Sequence, residues 1–299
     1  MSDDPFVAHR GLLFTVAYEM LGSVADADDV VQETWLRWAS AARPEVRDPR
    51  AYLVRIVTRQ ALNRLRSRKR RREDYVGEWL PEPLLVGPEV AEDVELAESI
   101  SMAMLTGLET LGPTERAVFV LREVFETPYD EIAAAVGKTP AAVRQIAHRA
   151  REHVAARRPR MQVTRAEQEA VIARFLEALT DGDVRGLVEV LAPDVALVPD
   201  GGGVVPALRV SLVGVESVVR ALSGFAKRAR AGTVVSRMWI NGGPAARIDV
   251  DGVLDTAISF VVEDGRITRI YAVRNPHKLT PLREAKQVTL QRSTSRDDA

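Results

Sequence analysis

The sequence predicts a multidomain chain in which two all-α units are followed by an α+β unit built on an antiparallel sheet. Three observations carry this expectation. Apolar residues at helical spacing, opened by capping residues, occupy residues 6–72 and again 99–158. Between them lies a segment rich in Pro, Gly and acids, the composition of a linker. Beyond about Met161 strand-like runs appear, divided by Asn241-Gly242-Gly243, Asp251-Gly252 and Asp264-Gly265, the dipeptides of tight hairpins. The boundaries expected are 1–73, 74–98, 99–160 and 164–280, with a disordered tail over 281–299. A chain of 299 residues has room for several separate cores.

In the first unit Ser23 and Asp26 cap a helix whose stripe is Ala27, Val30, Val31, Thr34, Trp35 and Trp38. Asp29, Gln32, Glu33, Leu36 and Arg37 take the opposite face. Asp48 followed by Pro49 starts a longer helix that buries Leu53, Ile56, Val57, Ala61 and Leu65. Its other face carries Arg55, Arg59, Asn63, Arg66 and Arg70, and residues 64–72 hold seven cations in nine positions. Nine acids follow between Glu73 and Glu98 without one Lys or Arg. Within that segment Trp79 and Leu80 are large and apolar, so Trp79-Leu80-Pro81-Glu82-Pro83 is expected to dock rather than stay in water.

In the second unit Thr127, Pro128 and Asp130 form a start signal before Ile132, Ala133 and Val136, and Gly137 permits a sharp turn. Thr139 and Pro140 open a second helix that buries Val143, Ile146, Ala147, Ala150 and Val154. Its outward face holds Arg144, Gln145, His148 and Arg149, so the pair reads as a helix-turn-helix. The third unit begins with a helix from Arg165 to Thr180 and a short one from Val184 to Leu191. A helix over Ser217 to Ala229 and strands over Val234–Ile240, Ala245–Val250, Leu254–Glu263 and Arg266–Arg274 complete it.

Composition removes several functions. There are no cysteines, which excludes disulfides, thiolate metal sites and cysteine nucleophiles. His148 has no second clustered histidine, so no metal is expected, and nothing calls for a cofactor. No segment reaches the roughly 18 apolar residues of a membrane span, and Met1 to Arg10 lacks the pattern of a secretory signal, so a cytoplasmic location and no membrane partner are expected. Net charge is −1, yet the cations are concentrated, and that arrangement matters more than the mean for nucleic-acid binding.

Three blocks carry a resemblance. AYEMLGSVADADDVVQETWLRW, Ala17 to Trp38, resembles the second conserved region of extracytoplasmic-function sigma factors. PRAYLVRIVTRQALNRLRSRKRRRE, Pro49 to Glu73, resembles the promoter-melting part of that region. LGPTERAVFVLREVFETPYDEIAAAVGKTPAAVRQIAHRARE, Leu111 to Glu152, resembles their fourth region. WLPEP, Trp79 to Pro83, and NPHKL, Asn275 to Leu279, are similar to the subgroup with a fused C-terminal domain of the SnoaL-like (NTF2-like) cone type. Where that subgroup has a DGGGK-like loop, this chain reads Asp200, Gly201, Gly202, Gly203, Val204, so no role of that lysine carries over.

The resemblance implies a transcription initiation factor. Asp29, Gln32, Glu33, Leu36 and Arg37 would dock on core RNA polymerase. Arg55, Arg59, Asn63, Arg66 and Arg70 would meet the melted −10 element, with a base pocket between Arg43 and Asp48. Arg144, Gln145, His148 and Arg149 would enter the −35 major groove. Trp79, Leu80, Pro81, Pro83, Asp200, Gly201, Gly202, Gly203, Asn275, Pro276, Lys278 and Leu279 would form regulatory contacts, with no separate anti-sigma factor required and the linker acids available to screen the cations of 64–72. The C-terminal unit could also hold an unknown small ligand. A cyclase-like reaction would fall to Asp200, Asp249 or Asp255 with Arg247 as charge partner, but no catalytic residue is expected. The competing reading is a one-component DNA-binding regulator whose C-terminal domain senses a ligand or is enzymatic.

Overall fold

Asp4 caps the first helix, α1 (Pro5–Leu21), its Oδ1 accepting from the Phe6 amide at 2.9 Å, and Gly22 closes it in the left-handed conformation at φ 62°. In this computed structural model residues 4–41, 46–72, 75–86, 93–155, 163–229, 231–284 and 290–291 are described. Ser23 opens α2 (Val24–Ala39), and Asp48, accepting from the Ala51 amide at 2.9 Å, opens α3 (Pro49–Arg72). Helix α1 is apolar nearly all round and accordingly becomes the core of its unit, with Leu13, Val16, Ala17, Met20 and Leu21 fully buried between the other two helices. The expected α2 stripe is buried except at Trp35. That ring lies at the edge of the core against Phe6, centroids 5.0 Å apart, because the next stripe position, Trp38, already fills the interior and hydrogen-bonds Asp4.

The second unit consists of α4 (Val94–Ser99), α5 (Met102–Leu108), α6 (Pro113–Phe119), α7 (Tyr129–Val136) and α8 (Pro140–Ala155). Helix α6 runs on into a π-type turn over Val120–Val124. The chain leaves that turn through Glu126 at φ 50°, which folds Thr127 back so that its amide bonds Leu121 O at 2.9 Å. Thr127 is therefore buried and does not cap α7, whose N-cap is Pro128. Gly137, at φ 69°, makes the turn into α8, and Val143, Ile146, Ala147, Ala150 and Val154 face inward as their spacing predicts.

The third unit runs α9 (Arg165–Asp181), α10 (Val184–Val190), β1 (Leu191–Asp200), β2 (Leu212–Val213), α11 (Val215–Arg228), β3 (Thr233–Ile240), β4 (Gly243–Val250), β5 (Val253–Glu263), β6 (Arg266–Val273) and α12 (Thr280–Arg283). One six-stranded sheet has the order β2-β1-β6-β5-β4-β3. Its meander β3–β6 is antiparallel. Asn241-Gly242, Asp251-Gly252 and Asp264-Gly265 all have positive φ, as two-residue hairpin turns require. The departure from a purely antiparallel sheet is β1, which lies parallel to β6, a pairing no hairpin turn encodes.

One face of this sheet packs on α9, α10 and α11 through Phe175, Leu187, Val218, Val195, Ile258 and Ile270. The other face is covered by the rest of the chain: Ile240, Ala257 and Tyr271 pack with Leu80, Met102 and Leu279. At the residues described, the C-terminal segment is not the free tail expected. Pro281 and Leu282 are buried in α12, and Leu290 joins the α1–α3 core beside a bond from the Gln291 amide to Thr15 Oγ1 at 3.3 Å. Burial of a leucine offsets the entropy of ordering it.

Candidate nucleic-acid interface and the joint behind it

Asp29, Gln32, Glu33, Leu36 and Arg37 are exposed together on α2, and Leu36 keeps 61% of its surface in water. The acids on this face are partly matched from α3. Arg64 reaches Asp26 at 3.0 Å, Asp29 at 2.7 Å and Glu33 at 3.8 Å, and Gln60 donates to Glu33 at 2.9 Å. The pairs to Asp29 and Glu33 are exposed enough to be weak, so a partner can exchange them, whereas Asp26 is mostly buried.

On α3, Asn63 and Arg66 are exposed, while Arg55 is half-buried with its guanidinium 5.3 Å from the Tyr52 ring. Arg59 is committed elsewhere: it donates to the carbonyls of Ala134 at 2.8 Å and Ala135 at 3.4 Å, in the last turn of α7, where the helix dipole favours a cation. The side chains of 68–72, Arg70 included, lie outside the described residues, as do 43–45 of the expected base pocket. The described part of that pocket, Val46, Arg47 and Asp48, lines a cavity of about 500 Å³ with Tyr52 and Arg55, and Glu131 and Ala134 of α7 form its far wall. Burial pushes the Glu131 carboxyl above its ordinary value; nearby Asp48 adds to this and Arg50 opposes it.

The α8 face is different. Arg144, Gln145, His148 and Arg149 stand side by side and exposed, as positions i, i+1, i+4 and i+5 must on one side of a helix. Arg144 lies 5.5 Å from the Tyr129 ring, and His148 is 3.7 Å from Glu152.

Behind these faces the linker and the sheet meet at Asp200, which is fully buried. One of its oxygens accepts from the Tyr75 hydroxyl; the other accepts from the Leu80 amide at 2.8 Å and from Lys278 Nζ at 2.6 Å. Lys278 also donates to Leu80 O and lies 3.4 Å from the Trp79 ring centroid. A buried ion pair persists only with such complete satisfaction of its lone pairs and protons. Burial first, then Asp200, raises the Tyr75 pKa, so its hydroxyl stays a donor. Asn275 donates to Tyr75 at 2.9 Å. Gly202 and Gly203 have φ 62° and 71°; a Cβ on the first would strike Asn275, and one on the second would meet Val76 Cβ at 2.9 Å. Pro81, Pro83 and Leu279 are buried, Gly201 likewise, and Pro276 is half-buried.

Several residues of this joint have no counterpart among the site residues the sequence suggests. Glu82 lies inside WLPEP, yet reads there as one more linker acid. Its carboxylate accepts from Ser23 Oγ at 2.8 Å and the Val24 amide at 2.7 Å, capping α2 from another part of the chain, while its backbone bonds Tyr18 and Gly22. Glu78 accepts from Ser211 at 3.0 Å, so these two linker acids are not spent on the α3 cations. Asn241, recognisable as a turn residue, accepts from Leu84 N at 3.0 Å and donates to Tyr18 Oη at 2.7 Å and Ile100 O at 2.8 Å, joining all three units. Arg116, nearly fully buried, donates to Glu19 O and to Glu109 at 2.7 Å.

The carboxylates considered for catalysis are each held by a cation. Asp200 has Lys278, Asp249 has Arg247 at 2.6 Å, and Asp255 has Arg274 at 3.0 and 2.8 Å. Burial would raise the Asp255 pKa, but the bonds from Arg274 and Thr256 outweigh it and hold the group below its ordinary value. His277 is exposed. No helix among the described residues is long and apolar enough to cross a membrane.

Comparison with known proteins defines the class. Residues 6–71 match the family model Sigma-70 region 2, and residues 101–154 match Sigma-70, region 4. The chain is 36% identical over 302 residues to the ECF RNA polymerase sigma factor SigJ of Mycobacterium tuberculosis (strain ATCC 25618 / H37Rv), covering 96% of each. It is 34% identical over 279 residues to the probable ECF RNA polymerase sigma factor SigI of Mycobacterium tuberculosis (strain CDC 1551 / Oshkosh), covering 92% of this chain and 94% of that one. The crystal structure of Mycobacterium tuberculosis SigJ superposes with a TM-score of 0.76 at 34% identity, over 92% of this chain and 97% of that one. The chain belongs to the extracytoplasmic-function RNA polymerase sigma factors. A stand-alone DNA-binding regulator is not favoured, because it has no need of the region 2 match that fills α1–α3.

Proposed function

We propose that the structure is the closed, self-restrained form of a sigma factor that binds core RNA polymerase through α2 and reads −10 and −35 DNA through α3 and α8. The observation that supports it is Arg59. A cation expected at the −10 strand is bonded to the C-terminal carbonyls of α7, which places the two DNA-reading units in direct contact. Elements centred 10 and 35 base pairs upstream lie about 85 Å apart at roughly 3.4 Å per pair. Two helices in contact are separated by only about 10 Å. Both elements cannot be read together until α3 and α7 part.

In this reading Asp29, Gln32, Glu33, Leu36 and Arg37 meet the polymerase. Arg55, Arg59, Asn63, Arg66 and Arg70 meet the −10 strand, and Arg144, Gln145, His148 and Arg149 the −35 groove. The C-terminal unit acts in cis through Asp200 and Lys278, is not itself a catalyst, and makes a separate anti-sigma factor unnecessary. Run-off transcription with purified core polymerase tests this, comparing the full chain with one ending near Arg160 and with Lys278→Met. Release of the joint should change promoter output in both variants; identical output from all three proteins overturns the cis-regulatory reading, and no output from any overturns the promoter assignment.

A further inference from the structure

Between the sheet and the helices α9 and α11 lies a cavity of about 630 Å³, walled by Phe175, Leu179, Leu197, Phe225, Ile258 and Ile270. Its volume falls within the roughly 300–1,000 Å³ typical of small-molecule sites. Apolar walls that face no atoms forfeit their dispersion contacts, so an apolar occupant gains them. The loop Pro206-Ala207-Leu208 crosses the mouth, and Arg228 and Arg274 are the titratable residues among the described ones that line it.

The two cations are not equivalent. Arg274 is engaged on three sides, with Asp255 through Nε and Nη2 and with Pro206 O through Nη1. Asp255 in turn is held by Arg274 and, at 2.6 Å, by Thr256. The pair cancels, and Arg228, whose Nε rests on Gly224 O at 2.8 Å, leaves the mouth with net positive charge. An apolar chamber with a guanidinium at its entrance suits a molecule with a hydrocarbon body and an anionic end.

We propose that this cavity binds an apolar carboxylate, with the head group on Arg228, and that its occupancy is transmitted to the linker joint. The route is covalent and short. The mouth loop continues directly from Asp200–Gly203, and Arg274 holds the two parts together, its side chain on Pro206 O and its amide on Asp200 O at 2.7 Å. A ligand that lifts Pro206–Leu208 therefore pulls on the residue that holds Tyr75, Leu80 and Lys278. This coupling rests on the joint being regulatory; the binding site does not.

Calorimetric titration of the full chain with sodium decanoate, 1-decanol and decylamine, each below its aggregation limit, tests the site. Decanoate should bind saturably and about ten-fold more tightly than decanol, the effect of one charge-assisted hydrogen bond, with decylamine weakest. Arg228→Gln, an exposed position, should bring decanoate down to the level of decanol, and Ala221→Phe should reduce binding of both by filling the chamber. Absence of saturable binding, equal affinity for decanoate and decanol, or an unchanged preference in Arg228→Gln overturns the site. Hydrogen exchange at the Leu80 amide should change several-fold with decanoate; unchanged exchange at saturation overturns the coupling. Decanoate binding with Leu80 responding, but run-off output insensitive to the C-terminal unit, would instead remove the regulatory reading and leave the site standing.

Discussion

Helices α3 and α8 both present arginines and an amide to solvent in the sequence pattern, yet they meet different fates. On α8, Arg144, Gln145, His148 and Arg149 remain exposed. On α3, Asn63 and Arg66 are likewise exposed, but Arg59 is bonded to α7, and Glu131 of α7 lines the Tyr52–Arg55 cavity. Amino-acid type determines what a surface can bind; packing of the units determines whether it is available. In the reading proposed above, the restraint falls on part of the α3 face and spares that of α8.

The largest expected effect comes from removing the support of that restraint. Lys278→Met leaves Asp200 buried without its cation, and denaturant unfolding should show a loss of about 3–5 kcal/mol. A loss below about 1 kcal/mol would mean that the joint is hydrated rather than closed. Next comes Glu82→Ala, which removes the carboxylate that caps α2 and should cost about 1–2 kcal/mol in the same measurement. The loss should appear even though the linker sequence around it is intact.

The two faces separate more finely in salt. In the free chain, Arg149→Ala should lower the slope of log K for DNA against log salt by about one, as one lost phosphate contact does. Arg59→Ala should leave that slope unchanged until core polymerase is bound. Equal slopes for the two variants in the free chain would show that α3 is already open.

The smallest effect is on pH. Glu131 has a raised pKa in the packed form, so that form holds its proton more tightly than an opened form in which the group is hydrated. Contact between α3 and α7 is therefore firmest below the ordinary carboxylate value and weakens as pH rises through the raised one. Energy transfer between dyes on α3 and α8 should fall over that interval, and Glu131→Gln should flatten the change.

Much of the helical half was legible because its signals are local. Ser23, Asp48-Pro49 and Gly137 each act within one turn of themselves, and the apolar spacing of α8 is its own evidence. The hairpins β3–β6 were legible for the same reason. Where two local signals competed, one gave way: Thr127 reads as a cap but its amide is drawn back to Leu121 O by the adjacent π-type turn, and Trp35 reads as core but lies at its edge while Trp38 fills the interior.

The order of helices, the meander turns and the identity of the exposed faces were thus determined by the sequence alone, since backbone capping and side-chain periodicity need no partner from elsewhere. Only the tertiary structure decided the parallel pairing of β1 with β6, the role of Glu82 as the cap of α2, the placement of Asn241 among Tyr18, Leu84 and Ile100, and the loss of Arg59 to α7. Those bonds join residues tens to hundreds of positions apart. Their partners are brought within hydrogen-bond range by burial of the helical core and of both faces of the sheet, which no short window of sequence contains.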